Sequence, residues 1–163
     1  MRNLLIVWHS ATGGTQQMAE AAADGASDLP DTRVRLLQAS EAMADHLLQA
    51  DAYIFATPEN LASMSGVMKD FFDRTYYLVL DRLAGRRYGT LVCAGSDGEN
   101  AARQIARIAT GWRLRPVADP LIACTSAQTA DAILAPKQID PATLGRCREL
   151  GSSMANGLSL GIF

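Results

Sequence analysis

Apolar positions along the chain follow two rhythms. Leu4-Leu5-Ile6-Val7-Trp8, Ala52-Tyr53-Ile54-Phe55-Ala56 and Tyr88-Gly89-Thr90-Leu91-Val92-Cys93-Ala94 are apolar on both faces. Short runs of this kind predict strands buried on both sides of a parallel sheet. Arg33-Val34-Arg35-Leu36-Leu37 alternates instead and suits a sheet edge. Leu114 to Ala123 is strand-like but carries Pro116 and Pro120. Proline removes ladder donors, so this strand is expected at an edge or in pieces. Between the strands the rhythm becomes helical. Helices are predicted from Gln16 to Ser27, from Glu41 to Leu48 behind an N-cap at Ser40, and over Ala101 to Trp112. Met64, Val67, Met68, Phe71, Phe72, Thr75 and Tyr76 form one continuous stripe, with Lys69, Asp70, Asp73 and Arg74 opposite. Asp140-Pro141 opens a last helix whose stripe runs from Leu144 to Leu158. Cys124 to Ile139 shows no period and reads as an irregular loop.

Strands alternating with helices predict an α/β fold, a parallel sheet with helices on both faces. Two wetter strands, the second and fifth, belong at the edges. A five-stranded order of 2-1-3-4-5 satisfies this, with the topological switch point between strands one and three. The loops reaching that crevice are Ser10 to Thr15, Thr57 to Met64 and, beside them, Gly95 to Asn100. Pro58 is expected to stop the third strand at Ala56.

The first of these loops, Ser10-Ala11-Thr12-Gly13-Gly14-Thr15, joins a buried strand to a helix. Glycines let backbone N–H groups close on an oxyanion, hydroxyls add donors, and the helix N-terminus points the same way. The loop contains no lysine or arginine, unlike a nucleoside-triphosphate P-loop, and lacks the G-x-G-x-x-G spacing of dinucleotide sites. A single phosphate held by uncharged donors is the expected ligand.

Composition narrows the field little further. The 163 residues are 48% hydrophobic and 20% charged with net charge −2, as for one globular domain over 1–163. No broad basic surface for nucleic acid is indicated, and no apolar run is long enough for a membrane span. The N-terminus lacks a signal-peptide pattern, so a cytoplasmic location is expected. Cys93, Cys124 and Cys147 are odd in number and widely spaced, fitting neither a metal site nor a disulfide framework. His9 has no partner signature and reads as structural, and Cys93 as a small buried hydrophobe.

With those residues in view, the chain resembles the flavodoxin-like family over essentially its whole length. Ser10 to Thr15 matches the phosphate-loop pattern [ST]-x-T-G-x-T at every fixed position. Thr57-Pro58-Glu59-Asn60, followed by Met64-Ser65-Gly66-Val67-Met68-Lys69-Asp70-Phe71-Phe72-Asp73-Arg74, is similar to the loop and helix that carry the flavin ring in flavodoxin-fold quinone and flavin reductases. The resemblance implies a three-layer flavodoxin-like sandwich that binds flavin mononucleotide (FMN). It implies that Ser10, Ala11, Thr12, Gly13, Gly14 and Thr15 hold the phosphate. Thr57, Pro58, Glu59, Asn60 and Leu61 would border the isoalloxazine, and Ala94, Gly95, Ser96, Asp97 and Gly98 its pyrimidine end. NADH or NADPH would donate electrons and a quinone or flavin-like acceptor would remove them, with no side chain required as acid or base. The two ring loops hold no aromatic residue and the chain is close to neutral. Electron-carrier flavodoxins usually have aromatics there and are strongly acidic, so the departures favour a reductase over a non-enzymatic carrier. Tyr76-Tyr77-Leu78-Val79-Leu80 is expected near the crevice as a subunit interface, giving a homodimer or homotetramer.

Overall fold

The computed structural model describes residues 1–163. Its sheet runs β2 (Thr32–Gln38), β1 (Arg2–Trp8), β3 (Ala52–Asn60), β5 (Arg87–Ala94), with the last position shared by two short strands, β6 (Arg115–Pro116) and β7 (Leu121–Cys124). All of these pairs are parallel. The expected order is therefore present, and the fifth strand is in pieces because Pro116 and Pro120 interrupt its ladder.

Alternation along each strand builds two cores. Leu5, Val7, Tyr53 and Phe55 face α2 (Ala44–Gln49), α3 (Gly66–Tyr76) and α4 (Glu99–Gly111). Leu4, Ile6, Ile54 and Leu91 face α1 (Gly14–Ser27) and α6 (Pro141–Ser159). The first core is aromatic: the Phe72 ring centroid lies 5.1 Å from Phe55 and 5.4 Å from Trp112, both edge-on. The second uses small residues. A Cβ on Gly25 would strike the Arg148 carbonyl, and one on Gly151 the Ala22 carbonyl, so α1 and α6 approach at backbone contact.

Three sequence expectations need correcting. β3 does not stop at Pro58. It continues to Asn60, with Pro58 opposite Cys93 of β5, and folds back antiparallel on β4 (Ser63–Met64). The pairing with β1 ends at Ala56 and that with β4 starts at Glu59, so at Pro58 one side of β3 has no partner strand and a residue without an N–H is tolerated. Second, α2 begins at Ala44, not Glu41. The Arg74 guanidinium takes the Ala39 and Ala42 carbonyls at 2.7 and 3.2 Å, and holds that stretch as a turn. Third, 124–139 is not wholly irregular. Cys124 ends β7, and Thr129 caps a short helix, α5 (Ala130–Leu134). No helix is long and apolar enough to cross a membrane.

Candidate functional site

The carboxyl ends of β1, β3 and β5 open on a cavity of about 460 Å³. Other surface hollows, of about 460 and 520 Å³, are as large, so size does not single it out. Its walls do. Three segments that are distant in sequence meet there, and two buried oxygens among them, Thr15 Oγ1 and Glu59 Oε2, have no partner.

The first wall is the Ser10–Thr15 loop. Gly13 sits at φ +94°, where a Cβ would be strained, and its N–H donates to Ser10 Oγ at 3.0 Å. A Cβ on Gly14 would lie 2.5 Å from Cys93 Sγ, so this glycine lets α1 start directly against β5. The N-terminus of α1 is left bare. It has no side-chain cap and no acidic residue in its first turn. By contrast Ser65, Thr129 and Asp140 cap α3, α5 and α6. First-turn N–H groups have no intrahelical partner, so α1 offers free donors and the positive end of its dipole. Thr15 adds a hydroxyl, 1% exposed, with no hydrogen-bond partner. A buried hydroxyl without a partner is costly, about 1–3 kcal/mol, and an anion at this helix end would satisfy it.

The second wall is the β3–β4 hairpin. Its two-residue turn, Leu61-Ala62, has φ +50° and +62°. Such a turn ordinarily takes Asn-Gly, because both central residues are left-handed. Leu61 is 99% exposed at the tip and lines the cavity mouth. The hairpin is held by α4 and the turn that leads into it. Glu59 Oε1 accepts from Gly98 N at 2.9 Å, Gln104 Oε1 accepts from Met64 N at 2.8 Å, and Asn100 donates to the Ala62 carbonyl. Glu59 Oε2 is buried without a partner.

Beneath the hairpin lies a small relay. Thr57 Oγ1 accepts from Ser65 N and donates to the Pro58 carbonyl. Ser65 Oγ accepts from Met68 N and lies 2.8 Å from His9 Nδ1. Ser65 thus has its proton left for a neutral His9, and burial lowers the His9 pKa from its ordinary value. His9 braces the end of β1 against the N-terminus of α3.

The third wall was not among the residues singled out from sequence. Thr125, Ala127, Ile133, Leu134 and Lys137 line the cavity, with Cys93 at its floor. The 125–139 strap is fastened at both ends. Thr125 and Ser126 donate their backbone N–H groups to the carbonyls of Ala94 and Gly95. At the other end Lys137 N donates to the Thr12 carbonyl at 2.8 Å. Gln17 clasps the strap by donating to the Lys137 carbonyl and accepting from Ile139 N. Between these anchors α5 has no buried residue.

Of the expected residues, Ser10, Ala11, Thr12, Gly14, Thr15, Pro58, Glu59, Asn60, Leu61, Ala94 and Gly95 line the cavity. Gly13 and Thr57 stand behind them, and Gly98 acts through Glu59. Ser96 and Asp97 do not line it. Tyr76 to Leu80 lie elsewhere too. α3 starts beside the hairpin and carries them one helix length, about 16 Å, toward the opposite end of the sheet.

Residues 27–129 match the family model of NADPH-dependent FMN reductase. A flavodoxin of Aquifex aeolicus is 36% identical over 108 residues, which are 65% of this chain and 56% of that protein. An NAD(P)H dehydrogenase (quinone) of Acidithiobacillus ferrooxidans is 33% identical over 53% of this chain and 54% of its own length. The chain thus spans about half the length of the curated relatives it matches. Among solved structures, an archaeal flavodoxin superposes with TM-score 0.77 at 21% identity, covering 96% of this chain and 99% of its own. The apo form of an NADH:FMN oxidoreductase gives 0.73 at 18% identity, covering 96% and 90%. These likenesses fix the fold as flavodoxin-like. The match over 27–129 takes in the hairpin and the Gly95–Gly98 turn, and by it the chain belongs to the NADPH-dependent FMN reductase family.

Proposed function

We propose that the chain is an FMN-binding oxidoreductase of 1–163 as one domain, passing electrons from NADH or NADPH to a quinone or flavin-like acceptor. One observation carries the reading. A bare helix N-terminus and the unpartnered, buried Thr15 hydroxyl face a cavity whose other walls are a hairpin and a small-residue turn. That donor set fits a phosphate, and the walls fit a planar ring. FMN, once bound, supplies the hydride chemistry.

The protein's own groups hold and orient. Ser10, Thr12 and Thr15 offer hydroxyls, and Ala11, Gly13 and Gly14 offer backbone, to the phosphate. Thr57 fixes the hairpin from beneath through Ser65. Pro58, Asn60 and Leu61 border the ring. Glu59 Oε2 is an acceptor for a ring N–H, and Glu59 Oε1 locks the hairpin to Gly98. Ala94 and Gly95 present backbone to the pyrimidine end, while Asp97 accepts from Glu99 N in the turn that follows. No aromatic residue lines the cavity, so one face of the ring stays open to a nicotinamide or an acceptor. This favours turnover over shuttling.

Purified protein should be yellow. Anaerobic NADPH or NADH should bleach it, and added quinone should sustain steady NAD(P)H oxidation. The likeness to a flavodoxin supports a second reading, a non-enzymatic carrier. A carrier would accept single electrons from dithionite and oxidise no NAD(P)H. Calorimetry showing no FMN binding at micromolar concentrations would sink both.

The enzyme is proposed to work in the cytoplasm as a homodimer or homotetramer. Tyr77 and Leu78, 78% and 62% exposed after α3, supply an apolar contact surface away from the cavity. Sedimentation giving only monomer at high concentration would remove this part.

A further inference from the structure

We propose that Lys137 is the residue that reads the charge of the mononucleotide phosphate, so that the site selects FMN over riboflavin. The inference rests on the FMN reading of the cavity and adds a cation to a grip otherwise made of uncharged donors.

Lys137 is the only cationic residue among those lining the cavity. Its backbone is fixed to the phosphate loop by its N–H on the Thr12 carbonyl, and to α1 by its own carbonyl on Gln17. Its stem packs on the loop as well. A Cβ on Gly14 would lie 3.4 Å from Lys137 Cβ. The lysine is therefore anchored at the first residue of α1, where the bare helix end and the Thr15 hydroxyl converge. Its charge is felt there. Burial raises the Cys93 thiol pKa, and Lys137 pulls against that rise.

The ammonium itself rests on the Ile133 and Ala135 carbonyls, at 2.8 and 2.6 Å. Both residues are exposed, so water can replace the lysine on either carbonyl. A phosphate dianion is the stronger acceptor, because charge-assisted hydrogen bonds are about twice as strong as neutral ones. Moving the ammonium needs only side-chain rotation, since the backbone is already held. A simpler role is closing the C-terminal end of α5. That role would affect any flavin alike, because α5 carries Ile133 and Leu134 at the cavity wall. The charge-reading role affects only the phosphorylated ligand.

The experiment titrates FMN and riboflavin into the flavin-free full chain, followed by quenching of flavin fluorescence, at low and high salt. Wild type should prefer FMN. Lys137→Met should weaken FMN by about tenfold, leave riboflavin within about twofold, and flatten the salt dependence of FMN binding. Lys137→Arg should restore FMN binding, and thermal melts should match wild type in both variants. Equal weakening of the two flavins, or no weakening of FMN, overturns the proposal while FMN binding by wild type stands. Wild type that binds neither flavin overturns the reading of the cavity together with it.

Discussion

The two ends of one sheet are built on opposite rules. At the amino-terminal end, Arg86 Nη1 donates to the carbonyls of Leu47, Leu48 and Ala50 and to Tyr53 Oη, all between 2.7 and 3.1 Å. The Tyr53 hydroxyl in turn donates to the Leu47 carbonyl, and burial pushes its pKa up to about 12. Two donors at this end lack partners, Arg87 Nε and Trp112 Nε1. Each lies against an aromatic ring, Arg87 over Phe163 and Trp112 edge-on to Phe72. At the carboxyl end, a hydroxyl and a carboxylate oxygen are buried without partners, and the hairpin turn is left-handed without glycine. Apolar side chains of Leu61, Ile133 and Leu134 stand in solvent. One end turns its two unpaired donors onto aromatic rings of the chain itself. The other leaves its two unpaired oxygens beside an open cavity.

Substitution should separate the two. Arg86→Met strands the Leu48 and Ala50 carbonyls at the end of α2, while Leu47 keeps the Tyr53 hydroxyl, and should lower stability by about 2 kcal/mol. Denaturant melts would show it, with FMN affinity of the folded fraction unchanged. A similar loss of FMN affinity would mean that the ends are coupled. Thr15→Val is the mirror case. It replaces a buried hydroxyl that bonds to nothing, so stability should hold or rise. FMN affinity should fall about tenfold, as for loss of one hydrogen bond to a charged group. A Thr15→Val protein that is destabilised yet binds FMN normally would make that hydroxyl structural.

The contrast also explains what could be read from the sequence. Ser10–Thr15 is legible because its signal is local: hydroxyls and glycines between a buried strand and a helix. The sheet order is legible because edge strands show polar positions that central strands do not. The strap is not legible. Its anchors, Lys137 to Thr12 and Gln17, bridge over a hundred residues and carry no motif. Its helix, five residues with none buried, has no apolar stripe to detect. Pro58 misleads for a related reason. Whether proline breaks a strand depends on its neighbour, and β1 has run out at Ala56. Arg86 looks like one more surface charge until α2 is packed beside it.

The hairpin turn offers a smaller effect of opposite sign. Leu61→Asn with Ala62→Gly supplies residues suited to a left-handed two-residue turn. Each left-handed non-glycine residue costs roughly 1–2 kcal/mol, so the double variant should gain about 1 kcal/mol or more in stability. It also removes the exposed Leu61 from the cavity mouth, and FMN should dissociate faster. More stability with unchanged FMN release would mean that this strain serves no binding role.

The smallest effect concerns acidity and joins the two ends of the comparison, because His9 is at once brace and neighbour of the site. Its pKa is lowered in the folded chain by burial, so the unfolded chain binds more protons just below its ordinary value near 6.5. The sign follows. His9 stability is complete above pH about 6.5 and is lost as pH falls toward the lower folded value. Protonation would make Nδ1 a donor and take away the acceptor that Ser65 Oγ–H uses. His9→Gln should therefore melt less steeply with acid than wild type between pH 7.5 and 5.5, by a few tenths of a kcal/mol at most. Since Ser65 caps α3 and supports Thr57, acid should loosen the hairpin before it touches the Arg86 network. Amide exchange at Ser65 and Met68 rising ahead of that at Leu47 would show this order. Simultaneous loss at both places would show that His9 braces the whole sheet and not the hairpin alone.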